Sequence, residues 1–398
     1  AGSYPALYLS GMRVLEVLKG KVIRKRSDGW GRNVLVAVQF SLSILMIVAV
    51  LVIFRQMDFV QSTHLGYDRD NLVYFQREGK LMEGGNTFLE EVLNIPGVKD
   101  ATMSGFYIGG MNSTGGVGWP EKTDEDQLQF WEVDAGPGLI EMMGIEVIEG
   151  RSFSGDLSSD STGIIFNETA IKAMGLENPI GTRVFHYKGF KKIIGVVKDF
   201  HLESLHQPVQ PTLFLYDPTE SPFIMAKLQK GAEKNALEAM EDVFNEFNPG
   251  FPFEPKFVDQ DYQAQYAAEQ RVGALSAYAA GFAILISCLG LFGLASFSAE
   301  RRAKEIGIRK ILGSGIGGII RLLMMDFLKV ILVAVVVALP LSYFVAQGWL
   351  EGFAYRIPLE WWFFASAGVA ALIVAALTIS AQTWKAAVTN PVQSLRDE

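Results

Sequence analysis

The stretch Ala299-Glu-Arg-Arg-Ala-Lys-Glu-Ile-Gly-Ile-Arg-Lys-Ile-Leu-Gly-Ser314 decides how the chain is read. It sets five cations and two carboxylates around Ile306, Ile308, Ile311 and Leu312. An apolar run long enough to cross a bilayer ends just before it, and another begins soon after. A charged amphipathic hairpin between two spans must lie at a membrane surface and meet something there.

Outward from this stretch, the run before it is Leu275–Phe297 and the run after it is Ile316–Ala346. The second of these carries Arg321, Asp326 and Lys329 early, leaving 17 uncharged residues from Val330, near the lower limit for a span. Pro340 predicts a kink that a membrane helix can absorb. Val34–Phe54 is uncharged over 21 residues, enough to cross ~30 Å of hydrocarbon as a helix. Trp361–Thr383 is the fourth span, and Trp349, Trp361 and Trp362 bracket its turn at an interface.

Composition agrees with this pattern. Among 398 residues, 49% are hydrophobic and 20% charged, which predicts a membrane protein with a sizeable water-exposed part. Residues 55–271 hold 18 Lys/Arg against 34 Asp/Glu, an acidic balance that argues against nucleic acid as a partner. The basic segments 1–32 and 298–315 are separated by two crossings, so the positive-inside rule places both, and both termini, in the cytoplasm. The lone Cys288 excludes an intramolecular disulfide and a cysteine metal cluster. A start at Ala1 without Met or signal peptide predicts a segment of a longer product.

The expected organisation is a basic entry segment at 1–32 and spans at 33–54, 272–297, 316–346 and 361–384. An α+β extracytoplasmic domain occupies 55–271, between the first two spans. A cytoplasmic loop at 298–315, a short outer loop at 347–360 and a tail at 385–398 complete it. Within the domain, Asn71–Gln76, Thr87–Asn94 and Val98–Phe106 read as strand, helix, strand. Phe223–Gln229, Glu233–Phe247 and Phe253–Val258 read the same way, each helix ending at Pro-Gly. These units pair into one sheet, and the stretch between them forms a second lobe. Its strands are expected at Gln127–Val133, Gly181–Tyr187 and Lys191–Lys198, with a short helix at Asn167–Gly175. A loop at Gly109–Gly116 is too poor in apolar residues for a core, whereas Phe106, Tyr107, Trp119, Phe130 and Trp131 read mainly as packing. The polar run Asp259–Arg271 lacks breakers and predicts an uninterrupted stalk on the second span; Arg55–His64 does the same for the first.

Chemistry-bearing motifs are few. The sequence has no Gly-x-x-x-x-Gly-Lys-Ser/Thr, so the chain is not itself an ATPase, and it has no His-Glu-x-x-His or Gly-x-Ser-x-Gly. Asp199, His201, Glu203 and His206 fall within eight residues; they read as a surface loop with solvated side chains, leaving metal binding open. Asp326 and Lys329 lie one helical turn apart and are expected to pair with each other or snorkel, not to relay protons. In 299–314, the isoleucine face and Glu305 among the cations fit a groove in a protein partner better than lipid alone, and Gly307 and Gly313 allow close approach.

Arg302-Ala-Lys-Glu-Ile-Gly-Ile-Arg-Lys-Ile-Leu-Gly313 resembles the hallmark loop of FtsX/MacB-type ABC transporter permeases. The order of one span, a large domain and three spans matches too. Gly150-Arg-Ser-Phe153, Phe166-Asn-Glu-Thr-Ala170, Asn178-Pro-Ile-Gly181 and Ile193–His201 with Ser204-Leu-His206 resemble the MacB-like periplasmic core domain. That likeness is greatest to large duplicated permeases of Bacteroidetes-like bacteria. Thr389–Arg396 and the faintly similar Val14–Lys19 then make this chain the second half of a duplicated permease. The resemblance implies a bacterial inner-membrane mechanotransmission component that binds no cofactor itself, ATP and Mg being held by a separate ABC ATPase. It assigns the coupling contact to Arg301, Arg302, Lys304, Glu305, Ile306, Gly307, Ile308, Arg309, Lys310, Leu312 and Gly313. Further partners implied are a second permease half or homodimer partner, membrane lipids, and a periplasmic adaptor or cell-wall hydrolase. The task is export or efflux; the alternatives are a signalling permease controlling a hydrolase and a lipoprotein-release permease. An ion-coupled transporter would need acids at the membrane centre, which the spans lack.

Overall fold

The computed structural model describes residues 30–106, 114–120, 122–123, 128–302, 305, 308–309 and 315–388. The readings at the two chain ends, at 109–113 and at Tyr107 lie outside them. The chain divides into two compact units. One takes the membrane helices up to Phe54, Val272–Trp349 and the chain from Pro358; the other takes Arg55–Arg271 together with Leu350–Ile357.

Among the described residues, four helices are long and apolar enough to cross a membrane. They are α1 (Trp30–Ser62), α8 (Ala267–Arg301), α9 (Ile316–Leu350) and α10 (Trp361–Val388). Helix α9 runs through Pro340 and ends at Leu350, beyond the expected Ala346. Small buried residues, Ala334, Ala338, Ala367, Ala371 and Ala375, leave room for close helix packing. Ser43 and Ser287 share a buried hydrogen bond of 3.0 Å, and Ser41 Oγ donates to Ala334 O at 3.2 Å. Leu275, Phe282, Leu289, Val336, Phe344 and Leu377 stay exposed, as side chains facing hydrocarbon would be.

The domain is one mixed sheet carrying two cores. Its strands are β1 (Leu72–Gln76), β2 (Val98–Ser104), β3 (Thr114–Gly115), β4 (Phe130–Ala135), β5 (Val147–Gly150) and β6 (Gly163–Asn167). They continue as β7 (Arg183–His186), β8 (Gly189–Val197), β9 (Thr212–Tyr216), β10 (Phe223–Leu228) and β11 (Lys256–Phe257). Its helices are α2 (Leu81–Leu93), α3 (Leu139–Met142), α4 (Leu157–Asp160), α5 (Glu168–Met174), α6 (Glu233–Phe247) and α7 (Val258–Ala264). The sheet order is β11-β1-β10-β2-β4-β9-β6-β8-β5, with β3 on β4 and β7 on β8.

The first core comes from the two strand–helix–strand units, which interlock as expected, although the first helix starts at Leu81 and not at Thr87, because Leu81 and Gly85 are buried in the same core. Strand β10 pairs antiparallel with both β1 and β2, and β11 closes on β1. Helix α2 buries Leu81, Gly85, Phe88 and Val92, and α6 buries Ala236, Met240 and Phe244, both at helical spacing. Their rings meet Phe75 edge-to-face at 5.9 Å. Pro96-Gly97 turns the chain from α2 into β2, with Gly97 at φ 97° and its Cα facing Ala232 too closely for a side chain.

The second core gathers Trp119, Phe130, Ile164, Phe166, Ile171 and Leu213. It is therefore a packing cluster of its own, but the sheet runs through it. The strand-to-strand join is slender: β2 and β4 pair only at Ser104 and Ala135. Strands β5, β6 and β9 escaped the sequence reading. Gly163–Asn167 and most of Thr212–Tyr216 are buried on both faces, so they show no polar alternation to read.

Asn167 ties this core together. Its Oδ1 accepts from Ala170 N at 3.0 Å, capping α5, and from Thr212 N at 2.9 Å, while its Nδ2 donates to Gln210 O. The side chain is fully buried. Asn167→Ala orphans three backbone groups, so we expect a loss of about 2–3 kcal/mol, measured by thermal unfolding of the full chain; a change under 0.5 kcal/mol would contradict the capping role.

The segment before the second span departs from expectation twice. Phe253–Val258 is a strand only at Lys256–Phe257, because Val258 starts α7. The stalk before the second span is also interrupted, at Gln265–Tyr266, between α7 and α8. No breaker residue marks the site; Tyr262 and Tyr266 are both buried there, and anchoring them outweighs helix continuity. Helix α1, by contrast, continues to Ser62, in line with the expected extension of the first span.

Candidate functional site

Of the residues expected to form the coupling contact, Arg301, Arg302, Glu305, Ile308 and Arg309 are described; Lys304, Ile306, Gly307, Lys310, Leu312 and Gly313 lie outside the described residues. Arg301 ends α8, and its guanidinium lies 5.3 Å from the Phe297 ring centre. Arg32 approaches the same ring at 4.1 Å. Glu305 and Arg309 form an i,i+4 ion pair of 2.7 Å, and Ile308 between them is 55% exposed. With side chains about half exposed, such a pair contributes only ~0.3–0.5 kcal/mol. Both charges and the isoleucine therefore remain available to a partner.

Arg302 behaves differently. Its guanidinium meets the Asp326 carboxylate of α9 at 2.8 Å. The expectation that Asp326 pairs with Lys329 or snorkels is thus corrected: a cation of the preceding loop takes it. Asp326 lay outside the expected site because it is 24 positions away from Arg302, and no helical spacing links them.

A second constellation lies within the domain, where sequence reasoning placed solvated side chains. In the segment 199–206, Phe200, Leu202 and Leu205 are buried. Asp199 accepts from Thr169 N and Oγ1, both at 2.8 Å, at the start of α5. His206 reaches Glu269 at 3.5 Å and stacks on Phe353 with ring centres 4.0 Å apart. Leu205 O and His206 O accept from Tyr355 N (3.1 Å) and Ala354 N (3.2 Å). Gln56, fully buried, donates Nε2–H to Tyr355 O and accepts from Ile357 N, each at 2.9 Å. The expected short outer loop at 347–360 is thus, at 350–357, a strap seated in the domain. Among the described residues, no group of three or more His, Cys, Asp or Glu could hold a metal ion.

Burial, opposed by Asp199, pulls the His201 imidazole below its ordinary pKa, which favours the neutral ring; it packs edge-on against Tyr355 at 4.7 Å. Gly66 makes this arrangement possible. At φ +86°, a Cβ there would lie 2.5 Å from Asp199 O and 2.8 Å from Phe200 Cα. Gly66→Ala should cost about 2 kcal/mol and displace 199–201, detectable as faster exchange of the His201 amide, which donates to Leu65 O at 2.8 Å. Unchanged exchange would remove Gly66 from this role.

Gln56, Tyr262, Tyr266, Phe353 and Tyr355 were not singled out from sequence, and no local pattern marks them.

Residues 277–391, spanning α8 to the end of α10, match the FtsX-like permease C-terminal family. Residues 277–391 are therefore similar to the C-terminal part of FtsX-like permeases. The chain is also similar to solved structures. One is the periplasmic region of MacB from Actinobacillus actinomycetemcomitans, 18% identical over 51% of this chain and 95% of that one, TM-score 0.37. Another is the extracellular domain of the ABC-type transporter YknZ from Gram-positive bacteria, 13% identical over 46% and 97%, TM-score 0.34. No curated protein matches the chain.

Proposed function

We propose that this chain is the permease subunit of an ABC-type mechanotransmission transporter. A separate ATPase hydrolyses ATP, and the 299–314 loop receives its motion. Helices α1 and α8 carry that motion to the 55–271 domain. The reading places the protein in a bacterial inner membrane, with the domain periplasmic and both termini cytoplasmic, paired with a second permease half.

One observation carries this reading. Helices α1 and α8 each run unbroken across the divisions at 54/55 and 271/272 between the two units. A continuous helix of 33 or 35 residues transmits displacement along its axis better than a flexible link, since its backbone bonds close every turn. The exposed Glu305–Ile308–Arg309 surface, within the FtsX-like match, supplies the receiving end.

The test is reconstitution with a candidate ABC ATPase from the same organism. The permease should bind that ATPase and raise its hydrolysis rate several-fold; an ATPase that neither binds nor responds sinks the proposal. A cell-wall hydrolase recovered on the domain would assign the work to regulation instead of export.

A further inference from the structure

The chain passes between its two units four times, at 54/55, 271/272, 349/350 and 357/358. The first two crossings are the helices just discussed. The last two flank the strap. We propose that the strap is a third transmission line, delivering movement of α9 and α10 to the 201–206 segment of the domain. This rests on the proposed function above and names a part that the helical links alone do not supply.

The case begins with slack. A free loop of eight residues could extend to roughly 26 Å and would absorb movement of the helices at its ends. The strap cannot do so while seated. Helix α9 ends at Leu350, Phe353 N already bonds Leu350 O at 3.0 Å, and Ala354 is held by His206 O. Only Glu351 and Gly352 intervene on that side, against Pro358–Glu360 before α10. Displacement of α9 therefore reaches the socket with less loss than displacement of α10.

Release is also penalised. Gln56 places both amide atoms on the strap and is 0% exposed. Withdrawing the strap leaves a buried carboxamide, the Leu205 and His206 carbonyls and the ring face of His206 without those partners, which favours the seated state.

The socket in turn is joined to both stalks. Leu205 N donates to Tyr266 Oη at 2.6 Å, Tyr266 Oη donates to Tyr262 Oη at 3.5 Å, and Tyr262 Oη donates to Val60 O at 3.1 Å. Burial raises the pKa of both phenols, keeping them protonated as donors. Val60 belongs to α1, and Tyr266 immediately precedes α8. One hydrogen-bonded line thus runs from α1 through the tyrosines and Leu205 to Tyr355 of the strap, a collar on which all links converge.

The experiment uses the full permease with its ATPase in lipid and follows amide exchange without nucleotide and with ATP plus vanadate. In the wild type, ATP should alter exchange at 301–309, at 353–357 and at 199–209. Two glycines inserted after Glu351 and two after Ile357 add slack without touching a buried group. They should leave Ala354, Tyr355 and Ile357 protected and the 301–309 response intact, while the response at 199–209 falls several-fold. Gln56→Ala should speed Ile357 exchange roughly tenfold and weaken the same response. An unchanged 199–209 response in the insertion variant overturns the strap as a transmission line and leaves the proposed function standing. Absence of any ATP-dependent change at 301–309 in the wild type overturns both.

Discussion

Reversing either charge of the exposed ion pair, by Glu305→Arg or Arg309→Glu, is expected to reduce permease-dependent stimulation of the ATPase more than about tenfold, because a reversed charge at a docking contact is repelled as well as unpaired. The pair joins Glu305 and Arg309 at 2.7 Å across one helical turn. Within the chain it is worth only a few tenths of a kcal/mol, so neither single reversal should impair insertion or thermal stability. The double variant Glu305→Arg with Arg309→Glu separates the two roles. It restores an internal pair but presents inverted charges outward. If the pair matters only to the local helix, the double variant regains stimulation; if it faces a partner, it stays uncoupled. Wild-type stimulation in both single variants would remove this loop from the coupling contact.

The second large effect concerns the domain. Arg77, 5% exposed, donates to Met82 O, Pro218 O, Thr219 O and Ser221 O at 2.6–3.1 Å. These acceptors come from the start of α2 and from the turn that carries the chain out of β9, in the second core, into β10, in the first. The guanidinium therefore braces two halves of a sheet whose strands join at a single pair, Ser104 and Ala135. Arg77→Met keeps much of the apolar stem but leaves four carbonyls without their donor. The expected loss is about 3–5 kcal/mol. For a unit of this size that is a fall of roughly 6–15 °C in Tm, read by thermal unfolding of the full chain in detergent. Arg77→Lys should recover only part of it, since one ammonium cannot span four acceptors spread around a planar fork. A shift below 2 °C would show that the carbonyls find other donors and that the brace lies elsewhere.

Legibility followed the range of the interaction. Helix α6 was read to both ends, Glu233 and Phe247, because its apolar residues recur every four positions and Pro249-Gly250 stops it. Helix α5 was legible from Asn167 and Gly175, which the structure uses as N-cap and left-handed C-cap. Strands buried on both faces gave no such periodicity, so β6 and β9 went unread. Nor could the 199–206 segment be recognised as a socket: its His, Asp and Glu look like solvated polar residues until Tyr355, Phe353 and Glu269 arrive from elsewhere. At the loop, the cations and isoleucines were plain in sequence, but the Arg302–Asp326 pair was not.

By itself the sequence determined that four apolar runs are long enough to cross a membrane, that an acidic α+β domain interrupts them after the first, and that a charged stretch joins the second and third. Those features rest on run length, helical period and net charge, all local sums along the chain. The tertiary structure alone decided that 350–357 belongs to the domain, that Gln56 holds a backbone 299 positions away, and that the second stalk breaks at Tyr266. Each of these depends on which buried polar groups find partners, and that is settled only when distant segments pack together.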